Sequence, residues 1–237
     1  MAASSTFSII TSIRYDPSLM QVPLLPGFEH AGWNYFNKSS FYMLDLHRDR
    51  LLRAASHWNW QAAIHLLSGD AGLEALSRMA QAYLMTTNAN PNQPKRLRVI
   101  VSSLGTVSFA QFDTPVIPLK NLFPQCLPSP ASSPIHDESP ASPCFTLVVD
   151  TCHTDRSEFT HYKTTIRNMY NDARQRVGIQ QADLKEVLII NAQDQTVIEA
   201  SLTTPYFWRQ GKWVTPPTVG PTEKPGCPTV RADKLFG

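Results

Sequence analysis

The chain has 237 residues, enough for one large domain or two smaller ones with their own cores. Its 21 basic and 19 acidic side chains leave a formal charge of +2, which gives no electrostatic reason to expect nucleic acid or an anionic membrane as a partner and points to a small-molecule substrate. The opening MAASSTFSIITSIRYD has no charged leader, and no stretch approaches the roughly 18 apolar residues of a membrane span, so a soluble cytoplasmic protein is expected.

Residues 7–15, FSIITSIRY, are β-branched and aromatic enough for a strand, closed by Asp16-Pro17. A loop rich in Pro and Gly is expected to about residue 38. From Ser40 the pattern turns helical, with Leu44, Leu51, Ala55 and Trp58 on one face and Arg48 and Arg53 free to reach water. His47 and Arg50, three apart, lie close together on that helix. Asp70 reads as the N-cap of a further helix whose stripe is Leu73, Leu76, Ala80 and Leu84.

Residues 88–94, NANPNQP, form a turn, and RLRVIVSS and VSFAQFD then make a hairpin around Leu104-Gly105-Thr106. Strand, helices, then strands is the order of an α+β unit, residues 1–114, with helices on one face of an antiparallel sheet. Prolines and serines crowd residues 115–143, which read as an interdomain linker, mostly disordered from 124. The second unit, 144–217, runs from the strand FTLVVD through a helix over His161–Gly178 to the strand EVLII and then an alternating β-rich stretch with a turn at Gln210-Gly211. In that helix Ile166, Met169, Tyr170, Ala173 and Val177 share the apolar face, and Lys163, Arg167 and Arg174 fall off it. The tail, 218–237, has no periodicity.

The four cysteines, at 126, 144, 152 and 227, include no CxxC pair and read as reduced thiols. Cys152 and His153 are adjacent, but neighbours on an extended backbone point to opposite faces and no second ligand pair is in view, so no metal is expected.

Three residues stand out by setting: Arg50 beside a helical apolar face, Lys163 where a strand gives way to a helix, and Glu199 among Val197, Ile198, Ala200 and Leu202. Together with their flanks they resemble the fold-type IV family of pyridoxal 5'-phosphate enzymes, over residues 7 to 217. LDLHRDRLLRAASHW is similar to the family's N-terminal signature, which puts the phosphate-binding arginine on Arg50. YKTTIR resembles the motif around the covalent lysine, Lys163, with an arginine four residues on, Arg167, as in the lyases. VIEASLTTPYFW resembles the strand whose glutamate, Glu199, pairs with the cofactor's ring nitrogen, and it points to Ser201, Thr203 and Thr204 for the phosphate. Within the family TSIRYD, HYKTTIRNMYNDAR and EASLTTPYFWR look most like fungal aminodeoxychorismate lyases.

The resemblance implies a two-domain α+β and α/β fold, a small N-terminal sandwich followed by an incomplete β-barrel-like domain. It also implies a homodimer, a small amino substrate, and Arg14 and Arg167 for that substrate's carboxylates. The chemistry suits these residue types: a lysine amine bonds the cofactor aldehyde and then moves protons, a carboxylate keeps a pyridine nitrogen protonated, and a guanidinium grips phosphate. A branched-chain or D-amino-acid transaminase would use the same lysine and glutamate, and a non-catalytic relative acting as a binding protein is a third reading. Family members continue into a Gly-x-Thr-Arg turn at a helix N-terminus. Here GCPTVRADKLFG stands instead, so a truncated or altered enzyme with weak cofactor binding and low activity is expected.

Overall fold

The computed structural model describes residues 7–87, 90–127 and 144–217, and it divides into two compact units. The first is Met1–Cys126 together with Lys163–Thr165; the second is Leu127–Tyr162 and Ile166–Gly237. The expected tail, 218–237, and most of the expected linker, 128–143, lie outside the described residues.

The first unit is built on an antiparallel sheet in the order β1-β2-β3, formed by β1 (Ile9–Tyr15), β2 (Lys95–Val101) and β3 (Val107–Asp113). The register pairs Ile9 with Val101, Thr11 with Val99 and Ile13 with Leu97, so these six buried side chains share one face, as a period of two requires. On β1 pack the residues of α2 (Leu44–His57), and α2 packs in turn with α3 (Gln61–Leu67) and α4 (Gly69–Thr86). Leu44, Leu51, Ala54 and Ala55 of α2 and Leu76, Ala80 and Leu84 of α4 are the buried stripe. At Gly72 a Cβ would lie 2.3 Å from the carbonyl carbon of Leu67, so only glycine permits so close an approach of the two helices.

Several local expectations change. The loop before α2 holds a 3-10 helix, Pro17–Leu24, and a single turn, α1 (Trp33–Phe36). The Asp16 carboxylate caps the 3-10 helix through the backbone N–H of Ser18. Arg48 is not a solvated side chain: it bonds Asp49 at 2.7 Å and donates to the carbonyls of Leu67 and Gly69, satisfying groups that the end of α3 leaves open. Asp70 lies within the first turn of α4, whose N-cap is Ser68. Within the stretch read as linker, α5 (Leu119–Leu122) and the buried Phe123 join Leu19, Val22 and Ala31 in a satellite core of the first unit. There the Tyr42 hydroxyl donates to the Leu122 carbonyl at 2.8 Å.

The second unit has a mixed sheet, β4-β5-β6, of β4 (Thr146–Thr154), β5 (Lys185–Asn191) and β6 (Val197–Ala200). β4 and β5 are parallel; β5 and β6 are antiparallel. Tyr170 and Ala173 of α7 (Asn168–Arg176) pack with Val187, Ile189 and Ile198 on one face. On the other, Leu188, Ile190 and Val197 meet Phe207 and Val214 of the hairpin β7 (Phe207–Arg209) and β8 (Lys212–Val214). Cover on both faces explains why EVLII is an unbroken apolar run. The hairpin turns at Gln210 (φ 50) and Gly211 (φ 77), the left-handed pair of a tight two-residue loop. Arg176 forks onto Asp150 at 2.9 and 2.5 Å, tying the end of α7 to β4.

The helix expected over His161–Gly178 is broken. A short turn, α6 (Glu158–His161), ends before Tyr162, and α7 begins only at Asn168. Between them Thr164-Thr165-Ile166 is a β-branched run that favours extended backbone.

Candidate active site

Lys163 therefore sits on an extended segment of the first unit rather than at a helix entrance. That segment fills part of the edge of β1 that β2 leaves open: the Ile10 amide donates to the Lys163 carbonyl at 2.9 Å, the Thr165 amide to the Ser8 carbonyl at 2.9 Å, and Ile9 and Thr164 form an antiparallel bridge. Backbone pairing through the Lys163 carbonyl and the two residues after it ties the lysine to the edge of the sheet.

In the same unit Arg50, His47 and Thr11 meet. Thr11 is a fully buried polar residue on the helix-covered face of β1. Arg50 Nη2 donates to the Thr11 hydroxyl, and lies 3.2 Å from His47 Nδ1. The Thr11 hydroxyl is 2.7 Å from the same Nδ1, so both neighbours are donors and Nδ1 is the acceptor of a neutral ring protonated on Nε2. Electrostatics agree: burial, then Arg50, then Lys163 lower the imidazole from 6.5 to about 3. Arg50 itself is pulled down by burial and by Arg53. Its Nε is buried without a hydrogen-bond partner, an orphan cationic donor beside a saturated Thr11 and His47.

Glu199 belongs to the second unit. Strict alternation would put it on the face of Val197, but the register of β5 and β6 shifts between Ile189 and Ile190. Glu199 then lies opposite Ile189, on the face that α7 covers, while Val197 stays opposite Ile190 on the other. There the Tyr170 hydroxyl donates to Glu199 Oε1. Burial, then the Glu199 charge and this hydrogen bond, push the Tyr170 phenol up, so it stays protonated as a donor. Tyr170 was legible in the sequence only as an apolar-stripe residue. Its polar end could be assigned only once the bulge was known.

The other expected contacts are already engaged. Arg14 is bound to Asp16 at 2.7 Å and to the Pro115 carbonyl at 2.9 Å. Arg167 donates to the Ser201 carbonyl at 2.6 Å and stacks 4.6 Å over the Tyr170 ring. The Ser201 hydroxyl and the Thr203 hydroxyl both donate to Glu186, the latter at 3.0 Å. Thr204 is exposed. Cys126, Cys144 and Cys152 are free and exposed, and among the described residues no three His, Cys, Asp or Glu side chains gather as a metal site.

No family model matches the chain, and no curated protein does. A solved structure of a protein designated an amino-acid aminotransferase, from Mesorhizobium loti, superposes with a TM-score of 0.56 at 16% identity, over 90% of this chain and 75% of that one. The chain shares the fold of that protein over 90% of its own length. A fold IV transaminase from Curtobacterium pusillum gives a TM-score of 0.49 at 14% identity, and the chain spans 58% of its length. A hypothetical aminotransferase from Mycobacterium tuberculosis, bound to α-ketoglutarate and PMP, gives 0.49 at 13% identity, with 64% of its length spanned.

A buried guanidinium Nε with no hydrogen-bond partner is a donor that an anionic acceptor would complete. Glu199 is brought by the bulge to the Tyr170 hydroxyl, a carboxylate held on the face that α7 covers. Among the described residues no helix is long and apolar enough to cross a membrane.

Proposed function

We propose that the chain is a pyridoxal 5'-phosphate-dependent lyase that converts 4-amino-4-deoxychorismate to pyruvate and 4-aminobenzoate, a folate precursor. The observation that carries the cofactor assignment is the orphan Nε of Arg50 in the unit that also holds Lys163. The lyase assignment rests on Arg167, four residues beyond the lysine, and on the likeness of the flanking motifs to the fungal enzymes.

When bound, the cofactor supplies an aldehyde that condenses with amines and a ring that draws electrons from the bond to be broken. Lys163 would be the covalent anchor, and its amine would move the proton toward the departing enolpyruvyl group as the substrate ring aromatises. Arg50 holds the phosphate, its Nη2 kept in place by Thr11 and His47 while its buried Nε remains without a hydrogen-bond partner. Glu199 holds the proton on the ring nitrogen, steadied by Tyr170. Arg14 and Arg167 serve the substrate carboxylates only with the donors left over from Asp16, Pro115 and Ser201. A homodimer accompanies this reading by resemblance.

Transamination of branched-chain or D-amino acids is the second reading, favoured by the likeness to the Mesorhizobium loti protein. Purified protein loaded with cofactor and reduced with borohydride should carry the added mass on the peptide containing Lys163. Incubation with 4-amino-4-deoxychorismate should then release equal amounts of pyruvate and 4-aminobenzoate. Amino transfer to a keto acid without either product would establish the transaminase instead. A protein with no adduct and no product is the non-catalytic relative.

A further inference from the structure

Glu186, the second residue of β5, is a buried carboxylate, 5% exposed, that neither the cofactor nor the substrate assignment uses. Five donors converge on it. The Val187 amide reaches Oε1 at 2.9 Å, and the Ser201 hydroxyl donates to the same oxygen. Oε2 accepts the Leu202 amide at 3.1 Å, the Thr203 amide at 3.0 Å and the Thr203 hydroxyl at 3.0 Å. Arg174 Nη1 stands 3.7 Å from Oε1. Two consecutive backbone amides, two hydroxyls and a guanidinium aimed at one point are the donor set that proteins build for phosphate or carboxylate ligands. Here the chain fills it with a side chain of its own.

Each of those amides and hydroxyls has one proton to give, and each gives it to Glu186. An external phosphate that recruited the hydroxyl of Ser201 or Thr203 would take one of these donors away from a buried carboxylate, which costs free energy. Ser201 is pinned further: its amide donates to the Val187 carbonyl at 3.0 Å, its carbonyl accepts from Arg167 at 2.6 Å and its hydroxyl accepts from Arg174 at 3.1 Å. Every polar group of Ser201 is thus bonded, two residues after Glu199. On the near side of Glu199 the bulge opposite Ile190 sets the face. On the far side this latch stops the strand from slipping back.

We propose that Glu186 is the permanent occupant of the anion-binding loop Ser201–Thr203, and that this loop is a latch positioning Glu199 rather than a donor to the cofactor's phosphate; the second half rests on the cofactor reading above. The charge state supports it. Burial alone raises the Glu186 carboxyl, but the hydrogen bonds from Ser201, Val187, Thr203 and Leu202 outweigh it and hold the group below the usual carboxylate range.

Two measurements separate the latch from the cofactor assignment. In cofactor-free protein, amide hydrogen exchange at Leu202 and Thr203 should accelerate at least about tenfold in Glu186→Ala, and in Ser201→Ala by less, with the α7 amides unchanged. The Tyr170 phenol should become titratable before the fold melts. Unchanged exchange, or a Tyr170 that still resists titration, overturns the latch. In the loaded protein, the ratio of affinities for pyridoxal 5'-phosphate and unphosphorylated pyridoxal should stay within about twofold of wild type in Thr203→Val and collapse by about tenfold or more in Arg50→Ala. A Thr203→Val ratio that falls as far as that of Arg50→Ala overturns the exclusion of the loop from the phosphate. A wild-type protein that binds neither compound rejects the cofactor reading alone, and hydrogen exchange then decides the latch.

Discussion

Replacing His47 by asparagine should remove a pH dependence of stability that the fold builds into the first unit. The ring is held at about 3 against an ordinary 6.5, by burial first and then by the charges of Arg50 and Lys163. The depressed folded value means that between those two pH values the unfolded chain binds the extra proton and the native one does not. The contribution is therefore complete above 6.5 and is lost as pH falls through the window. Between pH 7.5 and pH 5 the loss is about 2 kcal/mol, from the unfolded ring titrating at 6.5 while the folded ring stays neutral. Asparagine still offers an acceptor to Thr11 and Arg50 but cannot titrate. Denaturant unfolding of cofactor-free wild type and His47→Asn at the two pH values gives the difference directly, and the six other histidines cancel because both proteins share them. Curves that stay parallel from pH 7.5 to 5 would mean that His47 protonates normally, and the buried Arg50–Thr11–His47 chain would then be wrong. Inorganic phosphate offers a second reading of the same titration. An anion at Arg50 Nε offsets one of the charges that lower the ring, so the gap between wild type and variant should narrow as phosphate is added.

Tyr170→Phe deletes the phenol donor of Glu199 and should cost about 1.5–3 kcal/mol of stability, the range for a hydrogen bond to a charged group; a loss under about 0.5 kcal/mol in denaturant unfolding would be that of a solvated phenol. Gly72→Ala drives a methyl against the Leu67 carbonyl and should destabilise the first unit by about 1–3 kcal/mol, whereas the same change at Gly69, which has open space around it but a φ of 62, strains only the backbone. Phe123→Ala should cost about 3–5 kcal/mol if the segment after Pro118 is part of the first unit's core; a variant as stable as wild type would return that segment to the linker. Lys163→Ala should leave the melting temperature of the cofactor-free protein nearly unchanged while removing the borohydride-trapped adduct and lowering turnover by at least about 10²–10⁴-fold.

Strands announced themselves by β-branched and apolar content, and the register then put Ile9, Thr11 and Ile13 with Leu97, Val99 and Val101 on one buried face. The His47–Arg50 contact was equally legible, since three residues on a helix make neighbours whatever surrounds them. Helix ends were not: Ser68 rather than Asp70 holds the N-cap position of α4, and Arg48, from another helix, serves the end of α3.

At the site, the residue types came from the sequence and their settings did not. Lys163, Arg50 and Glu199 were noticed for where they stand in the chain, and their assigned roles came from the resemblance of their flanking motifs to a family. That Lys163 rides an extended edge of β1 rather than a helix depends on which strand edge was left open for it. That Glu199 faces Tyr170 depends on a one-residue register shift, and a shift of that kind leaves no mark in the alternation of a four-residue strand. Glu186 looked like one polar residue before an apolar run, yet it gathers five donors from residues up to 17 positions away. Local sequence fixes what a side chain can donate or accept, and only the folded backbone decides which partner it reaches.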